Sequence, residues 1–495
     1  MSPLLLLLAA APAKAGEFMD IWVTTAVEDT NVRAGPENYS PGPNFVERGN
    51  RTFFENYESF YTDDITQGHL VLYRADEGFF PNWWSEAAFV LEYTPYLNPD
   101  VSKPGVFIRD DGSYVRIGRD LGGVEDHHIS LTGYAVNASR FRLGYSWDLA
   151  YGGREIVTPR VGAMPGVRLQ WQRKGTYVFA GMKTAINQRT EESWEGDRNA
   201  TYYSFLSGAG LNLLNDRLKL EAGLGSFQQG QIINVRDTSS PLYGEIISAL
   251  GTSGQISYRS TNELPFIQSS ELRLYRNAPE FMRDTYIRHR QLDGFGWLVQ
   301  AEVNRLTHNL LDPDNEAQTV LESALAGDVQ AFLIFRTTEI FVDFVYKDLP
   351  YIVFNVPGLT SGTAISETVT WSPQLYTRFK VSHYFPNARL TPSFGIGVMQ
   401  PAAYTTSDGK TFVQYTERDK EAVPDGQEAS DILGSVLGLQ VDVTPSTVVV
   451  GELLFTKDAN QSRVEEASDG VRLRVQEDPE VINALGFNLM LRAHF

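Results

Sequence analysis

Hydrophobic and polar residues alternate with period two at many points along this chain, and the last stretch shows it most clearly. Leu485, Phe487, Leu489, Leu491, Ala493 and Phe495 alternate with Gly486, Asn488, Met490, Arg492 and His494. Successive side chains of a strand point to opposite faces, so this spacing predicts a strand with one wholly apolar face. The texture recurs. Phe141, Leu143, Tyr145, Trp147 and Leu149 alternate with Arg142, Gly144, Ser146 and Asp148, predicting a strand there. Val167, Leu169 and Trp171 alternate with Arg168, Gln170 and Gln172. Phe295, Trp297, Val299, Ala301 and Val303 alternate with Gly296, Leu298, Gln300, Glu302 and Asn304. Leu375, Phe379 and Val381 alternate with Gln374, Arg378, Lys380 and Ser382. In Val448–Thr456 the alternation leaves the outward face undecided between Leu454 and Phe455.

The connections add a second pattern. Tight turns are predicted near Asn137-Ala138-Ser139, Lys174-Gly175, Asn215-Asp216, Pro386-Asn387-Ala388 and Thr444-Pro445-Ser446, whereas Pro401 to Asp431 and Lys457 to Glu480 are long and polar. Faces bearing Arg, Lys, Gln and Glu opposite aromatic and branched side chains fit lipid outside and water inside, and equally a half-buried soluble sheet. Alternating short and long connections favour a membrane barrel, in which one rim faces the periplasm. The chain is therefore read as all-β: a transmembrane antiparallel up-and-down β-barrel of about 18 strands, within roughly 16 to 20. Strand parity fails to come out cleanly between Gln229 and Gly327. There, Asp312-Pro313-Asp314-Asn315, Glu316 to Ala326 and Gly327 read as cap, helix and stop, predicting a short loop helix over 312–327. Residues 31–66, rich in Gly, Pro, Asn and Glu, are read as a long loop or a lumen plug.

At the N-terminus, an apolar run from Leu4 to Ala11 is followed by the small-x-small sequence Ala13-Lys14-Ala15. This predicts a secretory signal over 1–15, cleaved near Ala15, with the barrel occupying 16–495. No later apolar stretch is long enough for a membrane helix. With this N-terminus, the strand texture and the terminal Phe495, the chain resembles the porin-like outer-membrane β-barrel superfamily of Gram-negative bacteria. The resemblance covers the two ends and the texture between them. It implies that Phe495 is the assembly signal read by the barrel-assembly machinery. It also implies a location among outer-membrane lipid and lipopolysaccharide.

Composition narrows the chemistry. The chain of 495 residues has 61 acidic and 42 basic side chains and a net charge of -19, which argues against a nucleic-acid partner. It has no cysteine, so disulfides, thiolate metal sites and thiol nucleophiles are excluded. No G-x-S-x-G, H-E-x-x-H or P-loop occurs. His127 and His128 are adjacent, and on a strand they point to opposite faces, which prevents shared ligation. The Asp312–Asn315 cluster lacks the Gly and final Glu spacing of a calcium loop. No enzyme, cofactor or metal is therefore expected. Phe79, Phe80, Trp83 and Trp84 beside Tyr93 and Tyr96 read as interface girdle residues, with a sugar-binding track as the sharper alternative.

The chemistry that remains is inward charge. Arg142, Arg168, Gln170, Gln300, Glu302, Arg378, Lys380 and Arg492 are the candidate pore-lining residues, with Arg116, Lys183, Lys219, Glu221, Asp343 and Glu452 on similar grounds. Such residues either set the potential of an aqueous pore or pair across strands to brace its wall. The leading reading is a channel for passive diffusion of small hydrophilic solutes. The alternative is a non-conducting barrel that anchors an envelope assembly for motility, adhesion or secretion. A secreted carbohydrate-binding β-protein is the third.

Overall fold

The computed structural model describes residues 19–34, 65–78, 80–96, 105–110, 112–123, 126–138, 141–144, 146, 149–152, 164–188, 199–231, 239–264, 292–354, 363–415, 420–466 and 472–495. The expected signal segment and nearly all of 31–66 lie outside these residues.

The wall begins with β1 (Asp20–Asp29), β2 (Ile65–Glu77), β3 (Trp83–Tyr96), β4 (Gly105–Asp110), β5 (Tyr114–Asp120) and β6 (His128–Tyr134). It continues through β7 (Gly166–Arg173), β8 (Thr176–Gln188), β9 (Asn199–Leu213), β10 (Leu218–Gln231), β11 (Ile246–Arg259) and β12 (Phe295–Asp312). Then come β13 (Asn315–Phe335), β14 (Thr338–Lys347), the short helix α1 (Leu349–Val353), β15 (Thr370–Ser372), β16 (Gln374–His383) and β17 (Leu390–Gln400). Beyond them lie β18 (Ala402–Thr405), β19 (Thr411–Gln414), β20 (Lys420–Ala422), β21 (Ile432–Thr444) and β22 (Thr447–Lys457). The chain ends with β23 (Ser462–Glu466), β24 (Arg472–Gln476), the single-turn helix α2 (Pro479–Ile482) and β25 (Asn483–His494).

Nineteen of these strands form one sheet. β4 and β5 both pair with β3, over successive parts of its length, so they are one wall position interrupted at residues 111–113. Every wall pairing is antiparallel, and β1 pairs with both β2 and β25. The sheet thus closes into an 18-strand barrel, as the pattern predicts. Closure leaves no open sheet edge, which is the condition for crossing hydrocarbon with strands.

Burial follows the period of two. Along β12, Phe295, Val299 and Val303 are exposed, while Leu298, Gln300, Glu302, Asn304, Leu306 and His308 are buried. The outside is an apolar belt that includes Leu169, Phe205, Leu224, Leu250, Leu437 and Leu489. In water such a belt would be an enormous unpartnered patch; in a bilayer it is the lipid contact. Exposed Trp83, Phe295, Phe335 and Phe385 stand near one rim, as a girdle of interfacial aromatics. β22 is also resolved: Leu453 and Phe455 face out, and Val448, Val450 and Leu454 face in.

One rim carries the short connections. Lys174 and Gly175 join β7 to β8 with φ of 47° and 71°, the left-handed pair that a two-residue hairpin turn needs. Leu214, Asn215 and Asp216 do the same between β9 and β10. The predicted turns near 386–388 and 444–446 lie on this rim too. The opposite rim carries long connections, three of which hold further strands among the described residues. β15, β18, β19 and β20 form a small sheet there, and β23 with β24 forms a hairpin. The alternation breaks at one place on each rim. Residues 260–294 form a long connection on the short-turn rim, and Pro313-Asp314 a tight turn on the other. Strand parity in the sequence loses its rhythm over this same stretch.

Four expectations need correction. The helix over 312–327 is absent: Glu316 to Ala326 lies in β13, paired with β12 from Leu311↔Thr319 to Asn304↔Ala326. Residues 137–138 are not a hairpin turn, and Phe141 to Leu149 is not a wall strand. Both belong to the connection between β6 and β7, which folds into the barrel. Trp84 is not a girdle residue: it points inward, donating to Asp120 at 3.1 Å and packing edge-on to His128.

Candidate functional site

The lumen is organised by that infolded connection. Phe141, Leu143, Leu149 and Tyr151 are all buried, in one cluster with Phe179, Leu206, Phe227, Ala249 and Leu306 from the inner wall of β8 to β12. The wall leaves room for the segment by carrying glycine. A Cβ at Gly251 would sit 2.4 Å from the Tyr151 ring, and one at Gly181 would sit 2.5 Å from Phe141. Gly223 and Gly225 clear space for Leu143 in the same way.

Polar contacts hold the segment in register. Lys183 donates from β8 to the carbonyl of Phe141 at 2.8 Å and to that of Ala138 at 3.4 Å. Glu302 on β12 accepts from the Ser146 backbone at 2.9 Å and from the Asn304 amide at 2.7 Å. Asn304 also donates to the carbonyl of Leu149 at 3.0 Å. From the long-connection rim, α1 comes down on the segment: the Tyr351 hydroxyl donates to the Leu149 carbonyl at 2.5 Å. Asp348 caps α1 by accepting from Tyr351 at 2.9 Å and ties it to the wall by accepting from the Leu325 backbone at 2.6 Å. Burial raises the Asp348 carboxyl to about 6.

The predicted lining residues fall in four places. Arg168 and Gln170 form one column on β7: Arg168 donates to Gln170, Gln170 to Gln172 at 2.8 Å, and Gln172 to Asp126 at the short-turn mouth. Arg168 also lies over the Phe179 ring. Gln300 and Glu302 are on β12, where Gln300 donates to Gln330 at 2.7 Å and Gln330 to Asp328 at 2.9 Å. Arg378, Lys380 and Arg492 belong to the remaining wall. Arg378 is buried in an ion pair with Asp343, Lys380 is half-buried, and Arg492 lies over the Trp22 ring. Arg142 is buried on the infolded segment, so its place in the interior comes from the loop and not from a strand.

The sequence-based set omits Glu86, Asp328, Gln330 and His308, all buried and inward. Glu86 pairs with Arg116 at 2.8 Å and accepts from Tyr73 at 3.0 Å. Its alternation with Ala88 and Val90 would have placed it inward. Inward charges are mostly spent on one another, as in Lys219 with Glu221 at 2.8 Å. Asn488 donates to Glu452 at 2.9 Å across the β22–β25 pair. His127 and His128 point to opposite faces: His127 meets Trp171, and His128 approaches Asp126 at 3.4 Å. Among the described residues no group of three or more His, Asp or Glu is arranged to hold a metal ion.

No family model matches the chain, and no curated protein does. Among solved structures it is similar to the outer membrane protein OpdK of Pseudomonas aeruginosa, with 8% identity, 96% of this chain and 98% of that one covered, and a TM-score of 0.43. It is similar to OccAB2 of Acinetobacter baumannii at 8% identity, covering 96% and 97%, with a TM-score of 0.48. For OprD of P. aeruginosa the figures are 7%, 97%, 94% and 0.42. At such values the assignment as an outer-membrane-type barrel rests on this chain's own ring of pairings and its apolar exterior.

Proposed function

We propose that this protein is a porin-like channel of the bacterial outer membrane, which passes small hydrophilic solutes by diffusion. The observation that carries the reading is a closed 18-strand wall with charged and amide side chains inside and a peptide segment folded across the lumen. An infolded segment narrows a pore that would otherwise be wide, and charges on its two sides then act over short distances in a space of low dielectric. Arg142, Arg168, Gln170, Gln300, Glu302, Arg378, Lys380 and Arg492 are the proposed filter, with Lys183 and Glu302 also positioning the segment. Phe495 is the proposed assembly signal for the barrel-assembly machinery. Lipopolysaccharide would surround the long-connection rim.

A second reading, a non-conducting barrel that anchors an envelope assembly, is favoured by one observation. The inward apolar residues Trp22, Val71 and Val90 are wholly shielded from solvent. Planar-bilayer conductance of the purified protein, with reversal potentials in a salt gradient, separates the two. Steady steps and a reversal potential shifted by Arg168→Glu support the channel. Insertion without conductance, in a protein with heat-modifiable mobility, overturns it in favour of the second reading.

A further inference from the structure

A recess distinct from the infolded segment lies inside the barrel near the short-turn mouth, beneath β2, β3, β5, β6 and β7. Its volume is about 490 Å³. Among the described residues, five carboxylates line it, from Asp76, Glu77, Glu86, Asp120 and Asp126, against one arginine, Arg116, while Asp76 is held by Arg74 beside it. Tyr73 and Trp84 supply aromatic walls.

The hydrogen-bond chemistry of the recess is lopsided. Several of its N–H donors are committed to the protein. Arg116 is spent on Glu86 at 2.8 Å and on Thr132 at 2.9 Å. The Trp84 indole is spent on Asp120, the Gln170 amide on Gln172, and the Gln172 amide on Asp126. Acceptors remain over. The second oxygen of Asp120 and the Glu77 carboxylate are among them. Ser130, only 5% exposed, makes no side-chain hydrogen bond among the described residues. Its hydroxyl lines the recess and can accept from a donor-bearing ligand. A bare metal ion is a poor candidate, because no three ligands converge. An extended cation with several N–H groups reaches separated acceptors and lies against aromatic faces.

We propose that this recess binds a small organic cation carrying a primary ammonium or guanidinium group. The inference goes beyond the channel reading, because binding here does not require conduction. The test is calorimetric titration of the purified full chain in detergent with putrescine and with guanidinium, and with acetate as the control anion. Saturable binding of the cations and none of acetate is expected. The double variant Asp120→Asn/Asp126→Asn, which keeps the side-chain shapes, should weaken binding by about tenfold or more. Ser130→Ala should weaken it by roughly two- to fivefold. Asp408→Asn, on the far rim, should leave it unchanged. Unheated gel mobility confirms that each variant is still a barrel. Absence of saturable binding overturns the proposal, as does equal binding by the double variant and Asp408→Asn. Conductance without cation binding sinks this site and spares the channel reading; binding without conductance does the reverse.

Discussion

Phe141→Ala tests whether the infolded segment is held by its apolar face. Phe141 is fully buried, with the Tyr134 ring stacked at 6.3 Å and the Phe179 ring edge-on at 6.1 Å. Removing a buried phenyl ring costs about 3–5 kcal/mol in a packed core. Here the loss falls on docking of the segment and not on the wall, whose backbone ladder does not involve residue 141. A loss of about 3 kcal/mol lowers the docked-to-undocked ratio by roughly a hundredfold. The polar ties from Lys183 and Glu302 remain, so the segment should sample the undocked state without leaving the lumen. In single-channel recordings this should appear as frequent transitions to a larger conductance. Amide exchange at Leu143 and Tyr151, which bond each other's carbonyls at 3.0 and 3.1 Å, should accelerate by a similar factor. Exchange in β12 should not change. Identical recordings and identical exchange at 143 and 151 would mean that the cluster does not hold the segment, and the argument fails.

Other variants probe neighbouring claims. Gly251→Ala places a methyl 2.4 Å from Tyr151 and should destabilise the docked segment by about 1–3 kcal/mol, with the same conductance signature as Phe141→Ala; an unperturbed variant would show that the glycine berth is incidental. Arg378→Gln strands the Asp343 carboxylate and should lower barrel stability by up to about 3–5 kcal/mol, read as a drop in the temperature of the gel-mobility shift. Asp343→Asn/Arg378→Gln together should recover most of that loss. The raised Asp348 carboxyl gives a pH dependence. Its proton is held more tightly in the folded state than in the unfolded one, where the value is 3.8. Its contribution is therefore best at low pH and is lost as pH rises from about 4 through about 6. Exchange at Tyr351, corrected for intrinsic rates, should quicken across that window, and Asp348→Asn should abolish the change.

Much of the wall was legible because lipid on one side and a polar interior on the other impose a strict period of two. β12 as far as Leu310 and β25 as far as Arg492 obey it, and over those spans their faces come out correctly from spacing alone. Val448–Thr456 was undecidable because both faces are apolar: Val448, Val450 and Leu454 enter the buried cluster while Leu453 and Phe455 meet lipid. Phe141 to Leu149 misled because its apolar side chains pack on the inner wall, so a docked loop shows the alternation of a strand. The stretch from Glu316 to Ala326 misled for the opposite reason. Its residues favour a helix and its flanks look like caps, but a continuous ladder with β12 outweighs that local preference. Small Ala324 and Ala326 lie inward, in the same buried cluster as Tyr351. Which polar side chains face inward was partly legible. Arg168, Gln170, Gln300 and Glu302 were placed by alternation, whereas no spacing in the sequence indicates that Lys183 reaches the Phe141 carbonyl or that Glu302 meets Ser146.

The ring of pairings also dictates a history for the molecule. Every wall strand pairs with its neighbour in sequence except at one seam, where β1 meets β25. The seam joins residues as far apart as Asp20 and His494, a separation of 474 positions. Closing a loop of that length carries an entropic cost of about 5 kcal/mol, beyond a constant. All the other pairings form between consecutive wall strands and avoid it. Assembly is therefore expected to proceed hairpin by hairpin and to stall at the seam. There Ile21 and Phe495 exchange backbone hydrogen bonds at 2.9 and 3.1 Å. Substitutions along β1 and β25 should slow folding more than they lower the stability of the finished barrel, whereas those in the middle of the wall should show the reverse.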